Sequence, residues 1–130
     1  KLASGATIGA VPGGCAGVAQ RAQLLYTYGV RTGRITPERF VSLLSCEPAR
    51  IYGVPKRGRV EAGLIADLVI WDPEARSTVT HENHLHACDR SPYADMELFG
   101  SARTVVLGGE IVADNGVLLR AGAGQYLKRT

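Results

Sequence analysis

The residues able to do chemistry are few in this 130-residue chain, and they are dispersed. All three histidines fall in one hexapeptide, His81-Glu82-Asn83-His84-Leu85-His86. With Glu82 and Asp89 nearby, this H-x-x-H-x-H spacing has the donor types of a metal site, and on a strand His84 and His86 would share a face. Two features argue the other way. No helical pattern fixes the segment, and the H-E-x-x-H order of helix-borne zinc sites is missing. A polar loop carrying surface histidines is the plainer reading, and no metal ligand is assigned to it. Cys15 follows Gly13 and Gly14 and precedes a helix, a position that lowers a thiol pKa and favours a nucleophile. Such a nucleophile needs a base, and the histidines lie far along the chain. Cys46 and Cys88 read as small packing residues. Ser45 and Ser91 lack the G-x-S-x-G turn of a serine nucleophile. The carboxylates form no evident catalytic pair, so the residues alone assign no catalytic group.

What remains is the loop itself. Residues 1–17 carry Gly5, Gly9, Gly13, Gly14 and Gly17 with Pro12, and no apolar period. One reading is a loop whose exposed N–H and C=O groups contact a ligand; the other is a linker. It is not a phosphate loop, since G-x-x-x-x-G-K-[ST] is missing and no strand clearly precedes the glycines.

Composition narrows the classes. An apolar share of 45% with 21% charged residues is globular, and the length suits one ordinary domain. The net charge of +3 is mild and scattered, with one small cluster at Lys56, Arg57 and Arg59. Nucleic-acid binders concentrate basic charge on one face, so no nucleic-acid partner is expected. No apolar run reaches a membrane span and no signal-peptide pattern is visible, so no membrane partner is expected either. Three cysteines without a C-x-x-C pair fit a reducing, cytoplasmic setting. The chain starts at Lys1, not Met, which suggests a processed product or a piece of something longer.

The elements that must position any site divide the chain in two. Residues 18–28 have helical periodicity through Val18, Ala22 and Leu25, with Gly29 as the residue that ends the helix. Tyr26 and Tyr28 on this stripe read as packing residues before site residues. Thr36-Pro37-Glu38 is a helix start, with Thr36 as cap and Pro37 in the first turn. That helix runs to about Leu44 and buries Phe40, Val41, Leu43 and Leu44. Ser45 then caps a short helix containing Pro48 and closed by Gly53. From Gly58 the period changes to two. Gly58 to Asp72 reads as a hairpin, Arg59 to Ala62 turning through Gly63 into Asp67 to Trp71, with Pro73 ending the ladder. Ser77 to Thr80 is a further strand, and residues 81–100 are irregular. Gly108-Gly109 joins Arg103–Leu107 to Glu110–Ala113, and Asn115-Gly116 turns into Val117–Leu119. The fold class is α+β: three short helices, then antiparallel strands.

The ordered series V-P-G-G-C-A-G-V (11–18), L-L-Y-T-Y-G-V-R-T-G-R-I-T-P-E-R-F-V (24–41), S-C-E-P-A-R-I-Y-G-V (45–54), K-R-G-R-V-E-A-G-L-I-A-D-L-V-I-W-D-P (56–73), S-P-Y-A-D-M-E-L-F-G (91–100) and T-V-V-L-G-G-E-I-V-A-D-N-G (104–116) resembles the C-terminal part of the dihydropyrimidinase and hydantoinase family, within the amidohydrolase superfamily. The resemblance runs from about Val11 to Lys128. It implies a metal-dependent TIM-type barrel flanked by a β-sandwich, with residues 1–57 supplying terminal barrel helices and 58–130 supplying sandwich strands. It implies ring-opening hydrolysis of a hydantoin or dihydropyrimidine by a complete enzyme holding binuclear zinc or a similar metal pair. The metal ligands and the catalytic Asp would lie upstream of Lys1, so no metal and no cofactor is expected on this chain. The family's P-N-G loop contacts substrate through its backbone. Its counterpart is Pro12-Gly13-Gly14, which makes Gly13 and Gly14 the expected substrate-binding residues. The implied partners are the remainder of the barrel, a small cyclic amide and further copies in a homo-oligomer. The other reading is a non-catalytic assembly module or pseudoenzyme piece of the same family.

Overall fold

A computed structural model describes residues 7, 16–80, 82, 83, 85, 86 and 91–127. Gly13, Gly14, Cys15, His81, His84 and Cys88 lie outside the described residues. Two helical segments come first. Helix α1 (Arg21–Leu25) runs without a break into a π-helical turn (Tyr26–Val30). Helix α2 (Pro37–Val41) continues through a second π turn (Ser42–Cys46) into α3 (Glu47–Ile51). The expected restart at Ser45 is therefore corrected. Cys46 keeps helical torsions and no side chain caps α3, because the wider π turn lets the helix absorb Pro48 in its first turn. The start at Thr36 is as expected: its hydroxyl accepts the Arg39 N–H at 3.2 Å.

Both segments end in the same way. The Gly53 N–H reaches the Arg50 carbonyl and the Val54 N–H reaches Ala49, with Gly53 at φ +61°. The Gly33 N–H reaches Val30 and the Arg34 N–H reaches Gly29, with Gly33 at φ +72°. These are Schellman closures, which need a left-handed residue. Gly29 is thus not the closing residue. It lies inside the π turn, where a Cβ would meet the Ile35 side chain at 3.0 Å. Val41, expected to be buried, is 57% exposed, and Val18, expected on the helical stripe, precedes α1 and is 82% exposed.

Four antiparallel strands follow in sequence order: β1 (Leu68–Thr78), β2 (Glu97–Leu107), β3 (Glu110–Asp114) and β4 (Val117–Leu118). The two late turns are those expected. Gly108 and Gly109 are both at positive φ, as are Asn115 and Gly116, the backbone of a two-residue hairpin that matches strand twist. The opening hairpin is not formed. Residues 59–62 carry no strand, and Leu68 pairs with Val106 instead. Exposed Arg59, Val60, Glu61 and Ala62 have no face to bury, and the segment turns at Glu61–Leu64. Pro73 does not end β1 either. A register shift between Asp72 and Arg76 takes Pro73 out of the ladder on an edge strand, where the missing N–H costs little. Ser77 and Thr78 belong to this same strand, and Glu97 to Gly100, expected to be irregular, open β2.

The helices meet the sheet at three rings. Tyr26, Phe40 and Trp71 are mutually packed with centroids 5.4–5.6 Å apart. Polar side chains of α1 and its π turn reach across beside them. Gln23 Nε2 donates to the Gly100 carbonyl at 2.8 Å and to Ser77 Oγ at 3.1 Å. Thr27 Oγ1 accepts the Phe99 N–H at 2.8 Å. Gly100, at φ +77°, lies flat against the Trp71 indole. Among the described residues the buried apolar side chains are Phe40, Val79, Leu98 and Val112.

Candidate functional site

The expected substrate-binding pair precedes the first described stretch. Ala16 and Gly17 continue it, and Gly17 is pressed against Tyr93, so that a Cβ there would lie 3.0 Å from the ring. Tyr93 is positioned by a short turn in which its N–H reaches Ser91 Oγ at 3.2 Å. The ends of the excursion that carries it are pinned where Val79 exchanges backbone hydrogen bonds with Met96 and Asp95. Gly17 and the connection from β1 to β2 therefore meet, although Gly17 and Tyr93 are 76 positions apart. Sequence reasoning flagged the long connection but not this contact, because nothing local marks a tyrosine that packs on a distant glycine.

Of the clustered histidines only His86 is among the described residues, so the cluster as a set lies outside them. Among the described residues, no group of three His, Cys, Asp or Glu side chains is arranged to hold a metal ion. These described residues supply no donor set for a binuclear metal, and no catalytic step is assigned to them.

Electrostatics concentrate at the linker between helices and sheet. Arg57 Nε donates to Asp67 Oδ2 at 2.6 Å, and the Gly108 N–H donates to Asp67 Oδ1 at 2.8 Å. Burial raises the Asp67 pKa, but the Gly108 N–H and the Arg57 guanidinium together outweigh it, so the carboxyl lies below its usual value. Asp67 thereby ties the linker to the β2–β3 turn, helped by the Gly109 N–H on the Ala66 carbonyl at 3.0 Å.

Beside this tie is a shallow cleft of about 190 Å³ lined by Cys46, Ala49, Arg50, Val54, Arg57 and Arg59. The basic cluster at 56–59 was visible in the sequence. Its meeting with Arg50 and Cys46 was not, because Gly58 brings it there: at φ +90° its Cα rests on the helix, and a Cβ would lie 2.7 Å from that of Ala49.

No helix among the described residues is long and apolar enough to cross a membrane. The chain matches the Amidohydrolase family over residues 3–112. It is 38% identical to the D-hydantoinase of Rhizobium radiobacter over 122 residues, which covers 92% of this chain and 26% of that protein. It is 43% identical to a D-phenylhydantoinase of Escherichia coli over 121 residues, covering 91% and 26%. The structure of a D-hydantoinase (dihydropyrimidinase) from Thermus sp. superimposes with a TM-score of 0.86 at 32% identity, over 93% of this chain and 27% of that one. The chain thus spans about a quarter of the length of the curated relatives it matches. The α+β arrangement with an antiparallel sheet is shared with solved hydantoinases, and the chain belongs to the amidohydrolase family.

Proposed function

We propose that this chain is the C-terminal portion of a metal-dependent cyclic-amide hydrolase of the hydantoinase and dihydropyrimidinase type. In this reading residues 1–57 complete a TIM-type barrel and residues 58–130 form strands of the flanking sandwich. The observation that carries it is the likeness to hydantoinases along nearly the whole chain, in sequence and in backbone, rather than at one motif. The exposed apolar surface agrees. Val69 and Ile70 on β1, Ile111 on β3 and Val117 and Leu118 on β4 are each more than half exposed, which is what strands show when their covering layer lies elsewhere.

The reaction adds water to a ring carbonyl, breaks the C–N bond, passes one proton to the leaving ureido nitrogen, which stays neutral, and leaves a carboxylate with release of the other proton. This chain's share is support and orientation. The Gly13 and Gly14 backbone contacts the ring, and Tyr93 packs at the base of that loop. A paired metal, zinc or a similar divalent ion, would be held by residues outside this chain and would supply the activated water. The assembled protein is cytoplasmic and homo-oligomeric, with the rest of the barrel and a small cyclic amide as partners.

The test is hydrolysis of hydantoin and dihydrouracil by the longer polypeptide. Gly13→Pro removes a backbone N–H and should raise KM more than it lowers kcat. Inactivity of the metal-loaded polypeptide toward every cyclic amide offered would overturn the reading.

A further inference from the structure

We propose that the cleft between the end of the second helical segment and the following linker binds a small oxyanion of the phosphate or carboxylate class. Three guanidinium side chains line it, those of Arg50, Arg57 and Arg59. Two have acidic partners that leave part of each fork unused. Arg50 spends Nε and Nη2 on one oxygen of Glu47, and Arg57 spends Nε on Asp67. Arg59 makes no ion pair among the described residues and is exposed. Glu47 and Asp67 therefore answer two of the three guanidinium groups, while Lys56 and Glu61, both exposed in the same segment, offset each other in charge.

The cleft is built by the backbone, not by drifting side chains. The Schellman closure at Gly53 and Val54 fixes where the helix ends. Gly58 then sits against Ala49 and the Ser45 carbonyl so closely that no side chain fits at its Cα. The chain must cross the helix at that point, and Arg57 and Arg59 line the same cleft as Arg50. Guanidinium forks suit oxyanions because two parallel N–H donors match two oxygens. A volume of about 190 Å³ is enough for an ion of that size. Ala49 and Val54 add apolar lining beside the arginines.

The experiment is a thermal-shift and calorimetric titration of the longer polypeptide with inorganic phosphate, with sodium chloride at matched ionic strength as control. The result expected is saturable binding of phosphate that chloride does not reproduce, weakened about tenfold in Arg59→Gln, the value of one lost charge-assisted contact. Arg59→Lys should fall between the two, because it keeps charge and loses the fork. Arg59 is exposed and supports no packing, so its variants fold. Acetate as a third titrant separates carboxylate from phosphate preference, and saturable binding of either supports the proposal. Phosphate binding unchanged by Arg59→Gln would overturn it. So would failure of phosphate and acetate alike to bind, the result if an acidic side chain from elsewhere in the protein already occupies the cleft. Hydantoin hydrolysis by the Arg59→Gln protein should be unchanged, so this proposal and the proposed activity fail independently.

Discussion

Gly100→Ala should be among the most damaging single methyl additions to this structure. Two separate terms add. At φ +77° an alanine is held in the left-handed region, which costs about 1–2 kcal/mol. Its Cβ would also stand 2.6 Å from Trp71 Cζ2, 2.7 Å from Nε1 and 2.8 Å from Cε2. Those atoms belong to a rigid indole held by Tyr26 and Phe40 on its other sides. Trp71 therefore cannot shift without disturbing its packing on Tyr26 and Phe40, and overpacking of this kind costs about 1–3 kcal/mol more. Together the loss is about 2–5 kcal/mol, a large share of the roughly 5–15 kcal/mol that holds a domain folded. Gly109→Ala is the control, since it has φ +88° and nothing within 4 Å of the added Cβ. It should carry the backbone term alone. Urea denaturation of both variants measures the difference, and a Trp71→Leu background should shrink the Gly100→Ala cost. If Gly100→Ala were no more destabilising than Gly109→Ala, the close approach of Gly100 to Trp71 would be wrong.

Further outcomes follow from the polar joint and the linker. Thr27→Val removes the acceptor of the Phe99 N–H and should cost about 1–3 kcal/mol in chemical denaturation, with Thr27→Ser recovering most of it. Thr36→Ala removes the helix cap and should cost about 1 kcal/mol by the same measurement. The Asp67 carboxyl has a folded pKa below its unfolded value. Its contribution is therefore full above the unfolded carboxylate pKa of about 3.9 and is lost as pH falls through the lower folded value. Stability curves from pH 2 to 7 should show this acid loss, and Asp67→Asn should flatten it while lowering stability at pH 7.

Much of the frame was legible because its signals are local. A cap followed by Pro37 started a helix where expected, and the Gly-Gly and Asn-Gly pairs made the turns that positive φ requires. Errors arose where distant parts decide. Pro73 ends a strand only if its N–H is needed, and an edge bulge removed the need. The Arg59–Ala62 segment alternates like a strand, but β2 took the place of its partner. Gly29 and Gly33 are both plausible helix stops by type, and only the hydrogen bonds that close the helix choose Gly33. The π turns have no sequence signature at all. For function, the family likeness was legible from the order of six segments. The joint between Tyr93 and Gly17 and the cleft at Arg59 were not, since each depends on chain crossings that no single segment records.

The central proposal is that these 130 residues frame an active site whose metal ligands lie elsewhere in a longer protein. Hydantoin turnover and bound metal, measured side by side on this chain and on the longer polypeptide, test it most directly. The account predicts turnover and stoichiometric metal in the longer polypeptide and neither in the chain alone. Stoichiometric metal with hydantoin hydrolysis from the 130-residue chain itself would contradict it.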